Sequence, residues 1–343
     1  MMEAVWYERK GAPHEVLQFG RLPLPVAGPG EVLIKVLASA VNPSDIKGRT
    51  AWSGTAMPFE RIVPHQDAAG VIADVGEGVD PARIGQRVWC YQAQWNRPFG
   101  SAAQWMTLPA TRAVLLPDGV SFAEGASLGI PAMTAHRAVA LHGGVVGKRV
   151  LVQGGTGAVG FYAVQWAKLS GAALVAASVR DASVADVVRA AGADAVIDLS
   201  VTPLEDAVRA WFAQEETFER IVEVNLGANI ESDIRVLMPG GEIVSYASDS
   251  DWRPPLPLLA MMTKNITLSP ILVYTMGEAA IGSAIDAIDK ALRTGCLKHR
   301  IAHVLPLDRA ADAHALQESG RAGGKIVLAP WGVDAVGQRE GAA

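Results

Sequence analysis

The chain has 343 residues, of which 50% are hydrophobic and 19% are charged, and its formal net charge is −5 at pH 7. This length predicts two domains with buried cores, and the acidic balance without runs of lysine or arginine argues against nucleic acid and anionic membranes as partners. The two cysteines lie far apart in sequence, which excludes a disulfide framework and a cysteine-rich zinc site. No apolar stretch reaches the roughly 18 residues that a membrane span needs, so we expect a cytoplasmic protein.

Short apolar runs separated by glycine and proline fill residues 1–124. The runs with the length and composition of strands are EVLIKVLASAV, AAGVIADVG, GQRVWCY and AQWMTLP. Such runs, bounded by Gly and Pro, are typical of strands joined by turns. This part of the chain therefore predicts a β-rich, partly barrel-like domain.

Between residues 125 and 276, apolar strand patterns alternate with helical ones. The predicted strands are RVLVQGG, AALVAASV, AVIDLS, RIVEVNL, GEIVSYA and NITLSPILVY. Strands that alternate with helices indicate a doubly wound parallel sheet, so we expect an α/β protein. From 277 to 343 a long helical pattern precedes two more strands, KHRIAHVLPL and GGKIVLAP, which we expect to rejoin the first domain.

A glycine-rich turn follows the first strand of the alternating region. Its glycines form a G-x-G-x-x-G pattern with a strand directly before it and a helix directly after it, the arrangement that a dinucleotide site requires. The N–H groups at the start of that helix would hold the pyrophosphate. The predicted cofactor contacts of this turn are Gly155, Thr156, Gly157, Ala158, Val159 and Gly160. A glycine-rich turn without a ligand is the alternative.

The end of the second strand, AASVRDAS, indicates which dinucleotide is bound. An NAD site usually places Asp or Glu there, whereas the 2′-phosphate of NADP needs a cation. Ser178 and Arg180 therefore favour NADPH, although Asp181 would favour NAD if the strand ended one turn later. Arg180 as a solvated loop residue remains the alternative.

In their order and spacing, six stretches of the chain resemble the medium-chain dehydrogenase/reductase superfamily, and within it the quinone oxidoreductase (zeta-crystallin-like) branch. The stretches are ASAVNPSDIKGR, VPHQDAAGVIADVGEGV, GSAAQW, IPAMTAH, VLVQGGTGAVG and GGKIVL. The resemblance implies a GroES-like catalytic domain from residues 1–124 and 277–343, and a Rossmann NADP-binding domain from residues 125–276. It also implies that nicotinamide and substrate bind in the cleft between the two.

The zinc-dependent alcohol dehydrogenases of this superfamily carry metal ligands at positions where this chain has other residues. Asn42 stands in the place of a cysteine, and Gln66 in the place of a histidine, with His65 one residue early. No cysteine lies near Ile130, where the third ligand would be expected. Because amides are poor zinc ligands, we expect no metal site.

The resemblance also implies roles for single residues. Asn42 matches an asparagine of the cleft that holds the nicotinamide ribose or the oxygen of the acceptor. Lys47 stands where relatives often carry tyrosine and could polarise a carbonyl or donate a proton, with a salt bridge to Asp45 as the alternative. Arg49 is expected to fix its loop by pairing with Asp67 or Asp45.

Further cofactor contacts are expected beyond the glycine-rich turn. Thr134 matches the residue that touches the nicotinamide in the family. Asn225 and Gly227 follow a parallel strand, at the edge of the sheet where ligands bind. If Arg180 does not hold the 2′-phosphate, Lys325 or Arg321 is the cation expected there.

These residues predict an NADPH-dependent reductase that needs no zinc and transfers hydride to a quinone or an α,β-unsaturated carbonyl compound (enone). Such acceptors take hydride without a Lewis acid, because the negative charge delocalises onto an oxygen that needs only hydrogen-bond donors or a later proton. Trp52, Tyr91, Trp95 and Phe99 could form walls for a flat acceptor. The alternative is a structural or RNA-binding protein that binds NADPH without turnover.

The strand Asn265–Thr275 is expected at the edge of the parallel sheet. An apolar edge invites pairing unless it is covered, and relatives cover it by pairing the same strand of two subunits, so we expect a homodimer. Pro270 within the strand, or the helix after Gly277, could protect the edge instead.

Overall fold

The computed structural model describes residues 1–50, 54, 56–212 and 217–337. The strands are β1 (Met2–Trp6), β2 (Gln18–Leu22), β3 (Glu31–Ala40), β4 (Asp67–Val75), β5 (Arg87–Cys90), β6 (Trp105–Pro109), β7 (Ala113–Leu115), β8 (Arg149–Val152), β9 (Leu174–Val179), β10 (Ala195–Asp198), β11 (Phe218–Glu223), β12 (Leu237–Ser245), β13 (Thr267–Pro270), β14 (Ile301–Pro306) and β15 (Lys325–Ala329). The α-helices are α1 (Pro13–Val16), α2 (Pro43–Arg49), α3 (Phe122–Gly125), α4 (Gly129–Ala140), α5 (Ala158–Leu169), α6 (Ala185–Ala190), α7 (Leu204–Phe212), α8 (Leu226–Val236), α9 (Leu258–Lys264), α10 (Glu278–Arg293) and α11 (Ala310–Glu318). None of these helices combines the length and the apolar character that crossing a membrane requires.

The first of two compact units is formed by the described parts of Met1–Ile130 and Ile285–Ala343. Its main sheet has the strand order β14-β15-β3-β4-β5-β7, with β6 also paired to β3. The alternation of β3 buries Val32, Ile34 and Val36 in an apolar cluster against β4, β5 and β6. Because β15 pairs with β3, strands from the end of the chain complete the sheet that earlier strands begin.

The second unit comprises Pro131–Ala284. Its sheet has the order β10-β9-β8-β11-β12-β13, and the strands are parallel. Counted from β8, this is the 3-2-1-4-5-6 order of dinucleotide-binding folds. The predicted doubly wound domain is therefore confirmed, and the switch in strand order falls between β8 and β11.

The edge strand β13 is shorter than predicted. Thr267–Pro270 pairs with β12, whereas Val273–Thr275 forms a single 3₁₀ turn instead of continuing the strand. Pro270 does not itself end the ladder, because the Ile271 N–H still donates to the Ser245 carbonyl at 2.9 Å, and the chain then turns away at Val273–Thr275.

The two units divide at Ile130/Pro131 and at Ala284/Ile285, compared with predicted boundaries at 124/125 and 276/277. The second division falls inside α10, which runs without interruption from Glu278 to Arg293.

Candidate functional site

The glycine-rich turn connects β8 to α5 in the second unit. Gly154 has the left-handed backbone (φ +68°) of the tight turn, and its N–H donates to Ser178 Oγ at 2.9 Å. The predicted motif begins one residue later, at Gly155, whose N–H donates to the Ser178 carbonyl at 2.9 Å. The turn is thus bonded twice to one residue of β9.

Two glycines of the motif lie so close to neighbouring atoms that a larger residue would clash. A Cβ on Gly155 would lie 2.8 Å from Ala177 Cβ, and a Cβ on Gly160 would lie 2.2 Å from the Gly154 carbonyl oxygen. Gly157 is the N-cap of α5, and no described side chain makes a capping bond there. The first N–H groups of a helix without such a cap can bind an anion, so the turn fits a pyrophosphate. The other predicted contacts of the turn, Thr156, Ala158 and Val159, lie between these glycines.

The two residues predicted to determine whether NAD or NADP binds, Ser178 and Arg180, lie in different surroundings at the end of β9. Ser178 is buried, and its hydroxyl donates to Gln153 Oε1 at 2.6 Å while accepting from Gly154, so it holds the turn in place. Arg180 is exposed just after the strand ends. Asp181 accepts a hydrogen bond from the Ser183 N–H at 2.9 Å, which commits one carboxylate oxygen to the next turn. Arg180 therefore remains the predicted contact of a 2′-phosphate.

Asn225 and Gly227 lie at the start of α8, after the carboxyl end of β11. Asn225 Oδ1 accepts from the N–H and the hydroxyl of Ser250 at 3.0 and 2.8 Å, and the Gly227 N–H donates to Ser248 Oγ at 2.9 Å. A Cβ on Gly227 would lie 2.7 Å from the Asp251 carbonyl oxygen. The segment 248–251 thus lies so close to residue 227 that only glycine fits there.

Two other predicted cofactor contacts are buried. Thr134 lies in α4 of the second unit and is 5% exposed. Lys325 is also 5% exposed, but it lies in β15 of the first unit, with its ammonium bonded to Asn42 Oδ1 and 3.7 Å from Asp67 Oδ2. With these neighbours Lys325 does not resemble the open cation that a 2′-phosphate needs, so this expectation disagrees with the structure.

In the first unit, Asn42 is held in place on three sides. It is the N-cap of α2 and 1% exposed. Its Nδ2 donates to Asp67 Oδ2 at 2.9 Å, its Oδ1 accepts from Lys325, and its backbone N–H donates to Asp45 Oδ2 at 2.7 Å. The orientation of the amide is therefore fixed by two acids and one ammonium group.

The protonation of this cluster follows from its burial. Asp67 accepts from the Ile130 N–H at 2.9 and 3.0 Å, and burial raises its pKa to about 6 against the opposing charge of Lys325. Burial raises the pKa of Asp45 to about 8, and burial lowers the pKa of Lys325. Asp67, which lies beside the ammonium of Lys325, is therefore the more readily ionised of the two acids.

Lys47 is half-buried on α2. For Arg49, the expected pairing with Asp67 or Asp45 was wrong. Arg49 pairs with Glu318 and donates to the Gly11 carbonyl and to His314 Nδ1, the last at 3.2 Å. It lies in the last turn of α2, where α11 packs against that helix, whereas Asp67 and Asp45 bond to Asn42 at the start of α2.

Sequence reasoning missed a buried chain of hydrogen bonds that starts at Arg49. His314 Nε2 lies 2.9 Å from His65 Nε2, and His65 Nδ1 lies 2.8 Å from Ser39 Oγ. Ser39 Oγ lies 2.9 Å from Ser101 Oγ, and the Ser101 hydroxyl donates to the Asp67 carbonyl at 2.8 Å.

The direction of this chain is fixed at its first bond. Arg49 can only donate, so His314 Nδ1 accepts and the proton of that ring is on Nε2. It follows that His65 accepts through Nε2 and donates through Nδ1 to Ser39. The chain ends on the backbone of Asp67, and so supports the residue that holds Asn42.

We expect both imidazoles to stay neutral as the pH is lowered from 8 to 5. Burial and the charge of Lys325 lower the pKa of His65 to about 3, and burial, His65 and Arg49 lower the pKa of His314. Histidine in the unfolded chain has a pKa of about 6.5. Above that pH the two rings cost the folded state no stability, and as the pH drops from about 6.5 towards 3 the unfolded chain binds protons that the folded chain does not, so the free energy of unfolding falls. Imidazole ¹⁵N spectra should show His314 protonated on Nε2 and His65 on Nδ1 throughout. Protonation of either ring above pH 5, or the opposite tautomers, would contradict the assignment.

The aromatic residues expected to line an acceptor do not form one group. Phe99 is 48% exposed and lines a groove of about 340 Å³ with Leu22, Leu24 and Trp105. Tyr91 is buried, with its hydroxyl donating to the Thr111 carbonyl at 3.3 Å, and it does not line that groove. Trp95 is partly buried outside the groove lining, and Trp52 lies outside the described residues.

Comparison with known proteins agrees with both units. Residues 28–118 match the model of the alcohol dehydrogenase GroES-like domain, and residues 181–328 match that of the zinc-binding dehydrogenases. The chain is 28% identical to the quinone oxidoreductase of Sus scrofa over 96% of its own length and 98% of the relative. It is 30% identical to the 2-methylene-furan-3-one reductase of Solanum lycopersicum over 88% of its own length and 72% of that protein. Among solved structures, a thermostable alcohol dehydrogenase from Pyrobaculum aerophilum is 27% identical, covers 96% of this chain and 99% of its own, and superposes with a TM-score of 0.82.

The order of the units along the chain, the strand order around the glycine-rich turn and these similarities point to one family. The quinone oxidoreductase relative spans nearly the full length of both chains, so the match does not rest on one domain. The protein is an oxidoreductase that belongs to the medium-chain dehydrogenase/reductase superfamily, in its quinone oxidoreductase branch.

Proposed function

We propose that the protein is an NADPH-dependent reductase that transfers hydride to a quinone or an enone without zinc. One observation in each unit supports the proposal: an uncapped helix start behind the glycine-rich turn, and a rigidly held amide, Asn42, at the family position of a metal-binding cysteine. The names of the relatives, a quinone oxidoreductase and an enone-type reductase, support this acceptor class.

Each group of the chain has a limited task in this reaction. The bound nicotinamide supplies the hydride. The turn from Gly155 to Gly160 holds the pyrophosphate, and Thr134, Asn225 and Gly227 orient the nicotinamide end. The amide of Asn42, which donates to Asp67 and also hydrogen-bonds to Asp45, is proposed to hold the nicotinamide ribose or the oxygen that gains negative charge. Lys47 is the proposed donor of the proton that the acceptor then needs.

Absence of zinc is part of the proposal because the residues at the ligand positions are already committed. Gln66 exchanges hydrogen bonds with Gln94, at 3.0 and 3.2 Å, and both ring nitrogens of His65 are bonded within the histidine chain. A cation beside Asn42 would face the ammonium of Lys325. Within the described ranges, no three His, Cys, Asp or Glu side chains form a group that could hold a metal ion.

The deciding experiment measures NADPH oxidation with a panel of quinones and enones, with and without a chelator. We expect turnover that the chelator does not reduce. Binding of NADPH without consumption across the panel would favour the structural alternative, and activity that is lost with chelator and restored by zinc would favour an alcohol dehydrogenase.

Replacing Arg180 with alanine should raise KM for NADPH by about tenfold or more and leave KM for NADH nearly unchanged. A charge-assisted contact to the 2′-phosphate is typically worth 1.5–3 kcal/mol, or roughly 10- to 150-fold. Arg189→Ala is the control, because Arg189 is an exposed arginine that pairs with Asp186. An unchanged preference for NADPH would assign the phosphate to another cation.

We also propose a homodimer formed through β13. This strand is at the edge of its sheet, and exposed apolar side chains lie nearby in the sequence, including Leu259 (74% exposed) and Met262 (62%). Pairing with the same strand of a second copy would satisfy the free edge. Light scattering should give twice the chain mass at micromolar concentration; a monomer mass that persists as concentration rises would contradict the dimer.

A further inference from the structure

A second buried acid pair lies below the glycine-rich turn and is not explained by the residues discussed so far. Glu223 is the last residue of β11, Asp233 lies on α8, and both are 0% exposed. One oxygen of each acid, Glu223 Oε2 and Asp233 Oδ2, is buried without a hydrogen-bond partner among the described residues, and each acid acts on the pKa of the other. Two ionised carboxylates so close together would repel each other and leave both oxygens without a donor, whereas one shared proton would satisfy both.

The other partners of the pair show which oxygens share that proton. Glu223 Oε1 accepts from the Asn225 N–H and from Asn229 Nδ2, and Asp233 Oδ1 accepts from Gln153 Nε2 at 2.8 Å. The two remaining oxygens, Glu223 Oε2 and Asp233 Oδ2, are buried and have no other donor within the described residues. One proton between these two oxygens satisfies both groups and leaves the pair with a single negative charge.

The pair is the central link of a longer network. On one side, Asp233 bonds to Gln153, which accepts from Ser178, which in turn accepts from the N–H of Gly154 in the turn. On the other side, Glu223 bonds to the backbone of Asn225 at the start of α8. The network would therefore connect the two segments of the second unit that are proposed to hold the pyrophosphate and the nicotinamide end of the dinucleotide.

We propose that Glu223 and Asp233 share one proton and act as positioning residues that hold the glycine-rich turn and the Asn225–Gly227 segment in a fixed relation for the dinucleotide. The positioning part of this inference rests on the proposed binding of NADPH; the shared proton does not. Burial and the neighbouring Glu223 raise the pKa of Asp233, and burial raises that of Glu223, which agrees with a proton retained at neutral pH. Other ionisable groups that act on the pair are Glu205 on α7 and Tyr246 after β12.

Amide substitutions test the number of protons. In Asp233→Asn, the new N–H can donate to Glu223, and in Glu223→Gln it can donate to Asp233, so each single variant keeps a donor facing an acceptor. In the double variant two NH₂ groups face each other, because the carbonyl oxygen of each amide is already claimed by Gln153 or by Asn225 and Asn229. We expect the double variant to raise the dissociation constant of NADPH on the order of tenfold, far more than the two single variants combined. Glu231→Gln, an exposed acid on the same helix, is the matched control.

Infrared difference spectra of the protein without cofactor separate the two parts of the proposal. The wild type minus variant difference should show the carbonyl band of one protonated carboxylic acid for each single variant, while any band of the separate acid Asp45 cancels. If both acids were protonated, each single variant would retain the carbonyl band of the remaining acid. If both were ionised, neither substitution would remove a carbonyl band, and each single variant would unfold at a higher temperature than the wild type because a charge repulsion is removed. Either result overturns the shared proton.

If the band behaves as expected but the double variant binds NADPH like the wild type, the positioning role is wrong. A wild type that does not bind NADPH would overturn the proposed function and the positioning role with it, while leaving the infrared result valid. Should the double variant not fold, Ser178→Ala cuts the same network without touching either acid, and an unchanged dissociation constant there would equally refute the positioning role.

Discussion

Replacing Gly160 with alanine is expected to lower kcat/KM for NADPH by about 100-fold, the size of effect that a 1 Å displacement of a binding group typically causes. The new Cβ would lie 2.2 Å from the Gly154 carbonyl oxygen and 2.9 Å from the carbon of that carbonyl, and both are backbone atoms that no side-chain rotation can move. The turn must therefore shift away from the helix. NADPH titration and steady-state kinetics measure the result.

Gly282→Ala is the matched control, because Gly282 is also a helical glycine but a Cβ there meets nothing within 4 Å. This variant should keep its NADPH affinity and gain about 0.5–1 kcal/mol of stability from the better helix propensity of alanine. If Gly160→Ala bound NADPH as tightly as the control does, the turn would not be the pyrophosphate site.

Replacing Arg220 with alanine is expected to destabilise the protein by about 3–5 kcal/mol, the usual cost of removing one partner from a buried ion pair. Arg220 is 0% exposed, pairs with Glu242 at 2.8 Å, and donates to the carbonyls of Ala138 and Leu141 at 2.7 and 3.0 Å. Its loss leaves a largely buried carboxylate and two carbonyls at the end of α4 without that donor. For a domain of this size the midpoint of thermal unfolding should fall by about 6–20 °C.

Arg189→Ala serves again as the control, because Arg189 is 55% exposed and its partner Asp186 is 95% exposed. Exposed pairs contribute about 0–1 kcal/mol, so the unfolding midpoint of this variant should stay close to that of the wild type. Equal midpoints for the two variants would show that Arg220 does not stabilise the second unit as argued.

The sequence was most informative where a pattern repeats or a backbone constraint is strict. Alternating strands and helices predicted the parallel sheet, and the glycine motif predicted a turn in which Gly155 and Gly160 are sterically required. The edge strand was predicted too long because the apolar run continues to Tyr274, although the last hydrogen bond to β12 is donated by Ile271.

Side-chain partners were much harder to predict, because they depend on residues that are distant in sequence. Arg49 and Glu318 are separated by 269 positions, so local charge spacing favoured the wrong acids. His65 and His314 are separated by 249 positions, and Asn42 and Lys325 by 283. Polar residues inside apolar runs, such as Ser39 in β3 and Glu223 in β11, were the only local indication that buried polar networks exist.

The split origin of the first unit determines when each part of the protein can fold during synthesis. The sheet of Pro131–Ala284 is encoded by one continuous stretch, so all its strands have been synthesised before β14 and β15 are made. Until then, β3 lacks its neighbour β15, and the nascent chain carries an open sheet edge on which chaperones or other chains can act. A chain that stops before Lys325 would keep that edge permanently, so the last strands decide whether a completed translation product escapes quality control.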